Sequence, residues 1–506
     1  MYLSRIAPAL LALVAASPTL HADTLDVPGT YATIQAAIVA ATPGDTVLVA
    51  PGTYVETIDF LGKAITVESS GGAIVTIIDA DSTGPVATFE TSEANDSVLR
   101  GFTLTGGIGS QWGLPRGGGV LILEAGPTIE QCVITSNGSD YGGGVWSEDN
   151  LPAMPARLID CEISENTARR GGGFGVVRGA LYVERCTIAD NISLLDGAGG
   201  AAYNGSYLDI LNSLVTGNWS QLGRGGGLWL YTGSFDITAN VSNCVIADNV
   251  AALEGGGIYR DVFGTTTFCT ITNNSAQSGG GLNSATPSVG HCIIWGNTGG
   301  EIGGTTAAVF YCNVRGGYPG SGNIDVDPLF VDAPNGDYHL APTSACQDAG
   351  NPTDPGVGTD CDGDPRLSGV AVDIGADEAT FPKSPWTFRG HALAGSSGTP
   401  NIVGTGTALP STPTTVTLTG TTPSSPTTLV LGASHLGVPF KGGVMVPDVD
   451  ILIGGLLTDG TGALLVNGSW PPAIPSGFTS YMQFWMNDAS GPLGFVASNG
   501  LSVTAP

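Results

Sequence analysis

Three groups of side chains in this sequence have types and spacings that could do chemistry. Asp360, Asp362 and Asp364 alternate in the stretch TDCDGDPR, as carboxylates do at the opening of a calcium loop, where every second residue offers a hard oxygen to the ion. The loop's closing glutamate has no counterpart, because Ala371 stands twelfth, and an ordinary polar turn would use the same residues. Glu165 and Asp190 hold equivalent places in two successive copies of a repeated line. Stacked one repeat apart, at about 5 Å, two carboxylates could hold calcium or act as the acid and nucleophile of a retaining glycosidase. Arg169, Arg170 and Arg185 lie close enough in sequence to complete such a site; the competing reading is two acids at a solvated turn. The third group is aromatic: Trp146, Tyr203, Trp229 and Tyr259. Rings lined up on an outer face suit the apolar faces of sugars, or else stack on one another.

The elements that must position these residues come from the repeated line itself. It reads CVITSN at 132, CEISEN at 161, CTIADN at 186, SLVTGN at 213, CVIADN at 244, CTITNN at 269 and CIIWGN at 292, with CNVRGG at 312 as a fading copy. Glycine clusters around Gly142, Gly171, Gly199, Gly225, Gly255 and Gly279 follow the copies. Strand-like pieces repeated every 20 to 31 residues predict a β-solenoid, in which each coil buries a face that it cannot bury alone. The cysteine and the isoleucine two residues later point the same way, inward. The asparagine is expected to end the strand in a left-handed turn and to bond its equivalent in the next coil. After the glycines, Val145, Phe174, Ala202, Leu228, Ile258 and Leu282 should face in. The slot after each, holding Trp146, Gly175, Tyr203, Trp229, Tyr259 and Asn283, should face out.

The cysteines of the ladder are expected to stay reduced, since parallel Cβ vectors about 4.8 Å apart lie slightly beyond disulfide reach. Cys346 and Cys361, outside the ladder, are the pair expected to join. Gly-x-Ser-x-Gly, His-Glu-x-x-His and phosphate-loop motifs are absent from the sequence. His291 precedes a ladder cysteine and should face out, with no neighbour in sequence that marks it as a base.

Composition agrees with many short strands: 78 glycines, 32 prolines and only 12% charged residues disfavour long helices. A net charge of -28 argues against nucleic acid as a partner. Residues 1–22 read as an export signal, with Arg5, the apolar run Ile6 to Ala16 and a cleavage site at Leu20-His21-Ala22. That run is too short to span a bilayer, and no later segment looks like a span. The expected location is therefore secreted or extracellular surface.

The stretch YATIQAAIVAATPGDTVLVAPGTYVETI (31–58) resembles the opening of the pectin-lyase-like, right-handed parallel β-helix superfamily. Thr30 as a cap, with Tyr31, Ile34, Ile38 and Ala41 on one face, makes a helix that can plug the open core. The lines of type IxxN followed by GGGI resemble repeats of polymorphic outer-membrane adhesins. DPLFVDAPNGDYHLAPTSACQDAGNP with DIGADE (327–378) is similar to the closing segment of secreted bacterial β-helix proteins. The resemblance implies an all-β fold: a parallel β-helix over 23–320 with an N-terminal capping helix, and a closing segment over 321–380. Residues 381–506 read as a separate β-sandwich module, whose Tyr481–Met486 run is apolar on both faces, like a central strand. For function, the export signal and the outward aromatic strip lead to an exported, adhesin-like protein that binds polysaccharide or a cell-surface component without catalysis. The alternatives are a polysaccharide lyase or glycoside hydrolase, and a structural envelope protein. Calcium is the only cofactor the residues suggest.

Overall fold

The structure, a computed structural model, describes residues 22–505 except 111–113, 151, 234, 236, 285–287, 305–307, 342–343, 354–357, 369–370, 380–384, 396, 407, 473 and 476. Of the expected export signal, all but Ala22 lies outside the described residues.

One coil shows how the chain winds. Val145–Glu148 forms a strand, Ala156–Ile159 a second, Glu162–Ser164 a third and Thr167–Arg170 a short fourth. Phe174–Val177 then returns to pair in parallel with Val145–Glu148. Repetition builds three long parallel sheets of 10, 12 and 11 strands, in the order the coil visits them, and a short one of 5. The third residue of the repeated line stacks as expected: Ile134, Ile163, Ile188, Val215, Ile246, Ile271 and Ile294 are in register and fully buried. Helix α1, Ile34–Ala40, buries Ile34, Ala37 and Ile38 against the first coils. Its cap is Thr33 rather than Thr30, because the Thr33 Oγ1 accepts the Ala36 N–H at 3.1 Å.

The asparagine ladder forms, but the left-handed residue is the one before each asparagine. Ser136, Glu165, Asp190, Asp248 and Asn273 take positive φ there. The asparagines turn inward instead. Asn166 donates its backbone N–H and its Nδ2 to the Asn191 Oδ1, each at 3.0 Å, and Asn191 does the same to Asn218. The glycine corner leaves no room for a side chain. Gly225 has φ +64°, and a Cβ on Gly227 would lie 2.5 Å from the Gly257 carbonyl oxygen.

The ladder cysteines are buried and free. They also bond along the stack: the Cys161 N–H donates to the Cys186 Sγ at 3.4 Å, and the Cys186 N–H to the Ser213 Oγ at 3.1 Å. Serine therefore replaces cysteine at 213 without loss of the bond. The bridge expected between Cys346 and Cys361 does not form; both are free thiols. Cys346 is buried beside Ile293, Leu340 and Ile374 and accepts the Asn313 Nδ2 at 3.0 Å. Cys361 lies elsewhere, in a crevice with Tyr338 and Leu214. Burial pushes the Cys132 thiol up to about 12, which removes the reactive thiolate. A disulfide-exchange reagent is expected to titrate at most Cys361 in the native chain and all nine thiols after denaturation. Seven titratable thiols in the denatured, unreduced chain would instead report a bridge.

The closing segment folds back along the outside of the helix. Tyr338 Oη donates to Asp248 Oδ2 at 3.0 Å, Asn243 Nδ2 to the Thr359 carbonyl at 2.9 Å, and the Ala376 N–H to Thr270 Oγ1 at 3.1 Å. His291 does lie outside the cysteine ladder, yet it is buried under this segment. Its ring stacks between Phe268 and Tyr311, with centroids 4.5 and 5.5 Å away, and Nε2 accepts the Asn351 N–H at 3.1 Å.

The closing segment holds one antiparallel pair, Phe330–Asp332 with Asp337–Leu340, and from Trp386 onward the strands pair antiparallel. A six-stranded sheet and a three-stranded sheet form a β-sandwich-like module. Its strand Thr479–Asn487 runs between Pro426–Gly432 and Leu501–Thr504. Met482, Phe484 and Met486 pack into one cluster and Trp485 into another, which explains the apolar residues on both faces.

Candidate functional site

The 10-stranded sheet carries the aromatic residues, but in two columns rather than one. Parallel register aligns Leu121, Trp146, Gly175, Ala201, Trp229, Tyr259 and Asn283. Tyr203 stands one pleat further along, beside Val177 and Tyr231. The third coil opens its corner at Gly197, which has φ +68°, two residues earlier than an alignment on Gly199 implies. A slip of two residues keeps a side chain on its face and changes its neighbours, so Tyr203 remains outward and pairs with Tyr231. Ala202 likewise stays inward but aligns with Leu230.

The expected exposed strip is also largely covered. Trp146 and Trp229 retain only 3% and 5% of their surface. Trp146 lies flat across Gly175, where a Cβ would come within 2.6 Å of the ring, and its Nε1 donates to Glu148 Oε2 at 2.9 Å. The cover comes from residues just before corner glycines, Tyr141, Arg170 and Arg224, and Arg116, Asp196 and Glu254 hold the same slot in other coils. Arg170 sits over Trp229 at 5.4 Å and Arg224 over Tyr259 at 5.1 Å, as cation–π pairs. Arg170 Nε is 3.1 Å from Asp196 Oδ2, and Arg224 Nε 2.9 Å from Glu254 Oε2.

Between these covers a pocket of about 300 Å³ remains, lined by Arg170, Asp196, Tyr203, Asn204, Arg224, Trp229 and Tyr231. Trp229 and Tyr231 stack at 5.3 Å and 15°, and Tyr203 leans on Trp229 at 5.4 Å and 52°. The indole N–H of Trp229 is buried without a hydrogen-bond partner among the described residues. Burial raises the Tyr203 phenol well above its ordinary value, so it stays a neutral donor. Round the corner, the short sheet exposes Trp219, with 46% of its surface open, and pairs it with the exposed Val250. Sequence reading missed Asp196, Arg224, Tyr231 and Trp219. The signal for the first two is the slot before the corner glycine, where charged side chains recur.

The acidic pair is not brought into a site. Glu165 and Asp190 are the left-handed, exposed turn residues of the third sheet's edge. Arg185 pairs with Asp160 and Glu184, and Arg170 with Asp196, so neither arginine serves the pair. The three alternating aspartates do not converge either. Asp360 is fully buried, and its carboxylate accepts the N–H groups of Asp362, Asp364 and Glu378 at 3.0, 2.8 and 2.9 Å. It shapes the turn. Asp362 points instead to His339 Nε2, at 2.8 Å. Among the described residues, the group whose ligand atoms lie within 4.8 Å of one another is His339, Asp362 and Asp377.

The sequence profile described as right handed beta helix region matches residues 60–240 and, in an overlapping match, 117–314. No curated protein matches the chain. No helix among the described residues is long and apolar enough to cross a membrane.

Proposed function

Because the chain belongs to the right-handed β-helix family, whose outer faces are the surfaces left free once the coils have stacked, we propose that it is an exported glycan-binding protein. The pocket of Tyr203, Trp229 and Tyr231 is the proposed site. The observation that carries this reading is the group of three packed rings, Tyr203, Trp229 and Tyr231, lining one pocket whose rim is Arg170, Asp196, Asn204 and Arg224. Sugars offer apolar faces to rings and hydroxyl oxygens to such donors. Binding is favoured over hydrolysis because the pocket wall contains one carboxylate, Asp196, already paired with Arg170, whereas glycoside hydrolysis uses two. Export and a surface location rest on the N-terminal run alone.

The test is retention on a panel of soluble and insoluble polysaccharides, with Tyr231→Ala beside the parent chain. Alanine deletes one stacking ring of the pocket, so affinity should fall about tenfold, the equivalent of about 1.4 kcal/mol. Unchanged affinity in the variant would move the site elsewhere. Release of new sugar ends would turn the reading to an enzyme, and no retention on any polymer would end it.

A further inference from the structure

The cluster in the closing segment has the composition of a transition-metal site. His339 lies on the strand Asp337–Leu340, Asp362 in the turn that Asp360 organises, and Asp377 in the run DIGADE. Their donor atoms lie within 4.8 Å of one another. They face a crevice of about 320 Å³ between the closing segment and the outside of the third sheet, walled by Thr187, Leu214, Val245 and Cys361.

Two features separate this group from a chance gathering of acids. An imidazole nitrogen is among the donors, which suits zinc and its neighbours in the first transition row rather than calcium. The other ring nitrogen, Nδ1, meets Asp337 Oδ1. Metal-binding histidines are held by such a carboxylate on the far nitrogen, which sets the tautomer and leaves Nε2 with a lone pair. Nε2 then lies 2.8 Å from Asp362 Oδ2. Both contacts are hydrogen bonds only if the ring carries two protons. A cation between Nε2 and Asp362 would replace the second of these. Asp377 Oδ2 already accepts the Leu340 N–H at 2.8 Å, so this carboxylate is oriented by the same strand that carries the histidine. Arg185, also on the crevice wall, is engaged by Asp160 and Glu184.

We propose that His339, Asp362 and Asp377 bind one divalent transition-metal ion of the zinc class, with Asp337 as the positioning residue. Three protein donors leave a fourth position for water. The ion would tie together three stretches of the closing segment that are otherwise joined by hydrogen bonds. This inference is independent of the glycan site.

The full chain, stripped with a chelator, is titrated with Zn²⁺ by calorimetry and with Co²⁺ by visible absorption at neutral pH. One ion per chain is expected, with the intense visible bands of a four-coordinate cobalt site. His339→Gln and Asp362→Asn should each weaken Zn²⁺ binding at least tenfold, and Asp337→Asn about 10- to 100-fold. Asp362 is exposed, so its variant is expected to keep the parent's circular dichroism and so report on binding alone. Zinc binding that survives both ligand variants, calcium binding as tight as zinc, or no stoichiometric binding would each overturn the assignment.

Discussion

Asn218→Ala is expected to lower the unfolding free energy by about 3–5 kcal/mol, because it strands several buried polar groups at once. Asn218 is fully buried in the middle of the ladder. Its Oδ1 accepts the backbone N–H and the Nδ2 of Asn191, both at 3.0 Å. Its Nδ2 reaches the carbonyls of Ile188 and Thr216 at 2.9 and 3.0 Å and the Asn249 Oδ1 at 2.9 Å. Alanine removes all five bonds, and water cannot replace them inside a closed coil. Alanine also leaves a gap beside Gly199, where a Cβ would lie 3.1 Å from the Asn218 Nδ2. Asn297→Ala should cost less, since Asn297 is half-buried at the end of the ladder and Glu301 shares its contacts. Urea titration of both variants reads the difference. Equal midpoints for Asn218→Ala and the parent would show that the ladder adds nothing to stability.

Arg366→Ala should release the closing segment, at a cost of about 3–5 kcal/mol, the usual effect of removing one partner from a buried ionic network. Arg366 retains 1% of its surface. Its guanidinium donates to the carbonyls of Ala376, Asp373 and Gly375 at 3.0, 3.1 and 2.9 Å and sits 4.3 Å over the Phe268 ring of the helix. Glu378 lies 3.9 Å away. Burial pulls the guanidinium below its ordinary value, and Glu378, Asp360 and Asp373 pull it back. The loss should depend on pH. Burial raises Asp373 to about 7 and Asp360 to about 6, and raises Glu378 as well. Between their unfolded values near 4 and these raised ones the native chain binds more protons than the unfolded chain, so its stability falls as pH rises through that window. Without the arginine, the ionised carboxyls lose their nearest cation. The gap between parent and variant should therefore widen from about pH 4 to about pH 8. Thermal midpoints across that range, with proteolysis to locate the first cleavage, check both parts. A gap that stays constant across the range would show that Arg366 acts through packing alone, and a narrowing one would overturn the electrostatic account. Arg366→Lys should recover little, because one ammonium cannot reach three carbonyls as a planar fork does.

Much of the β-helix was legible because its signal is local and repeated. Cys161 and Ile163 declare their burial by spacing alone, and the same spacing recurs in each coil, so one misread copy does not disturb the others. The site was less legible. Tyr203 was placed on the correct face and in the wrong column, since counting from a glycine cluster does not reveal which glycine takes the left-handed corner. Trp229 was expected to be open because an outward position in one sheet does not show what the neighbouring corner lays across it. Arg170 and Arg224 do that.

The coil, the faces of its strands and the identity of its ladders can be read along the chain, because period-two alternation and stacking of like on like depend only on residues within one or two repeats. Long-range folding sets the rest: Asp362 turns to His339 and Asp377, Cys346 and Cys361 stay apart, and His291 and Phe268 lie under the closing segment. The contacts made there join residues 23 to 98 positions apart. They arise from where the returning chain lands on the solenoid, a placement that no spacing in the sequence encodes.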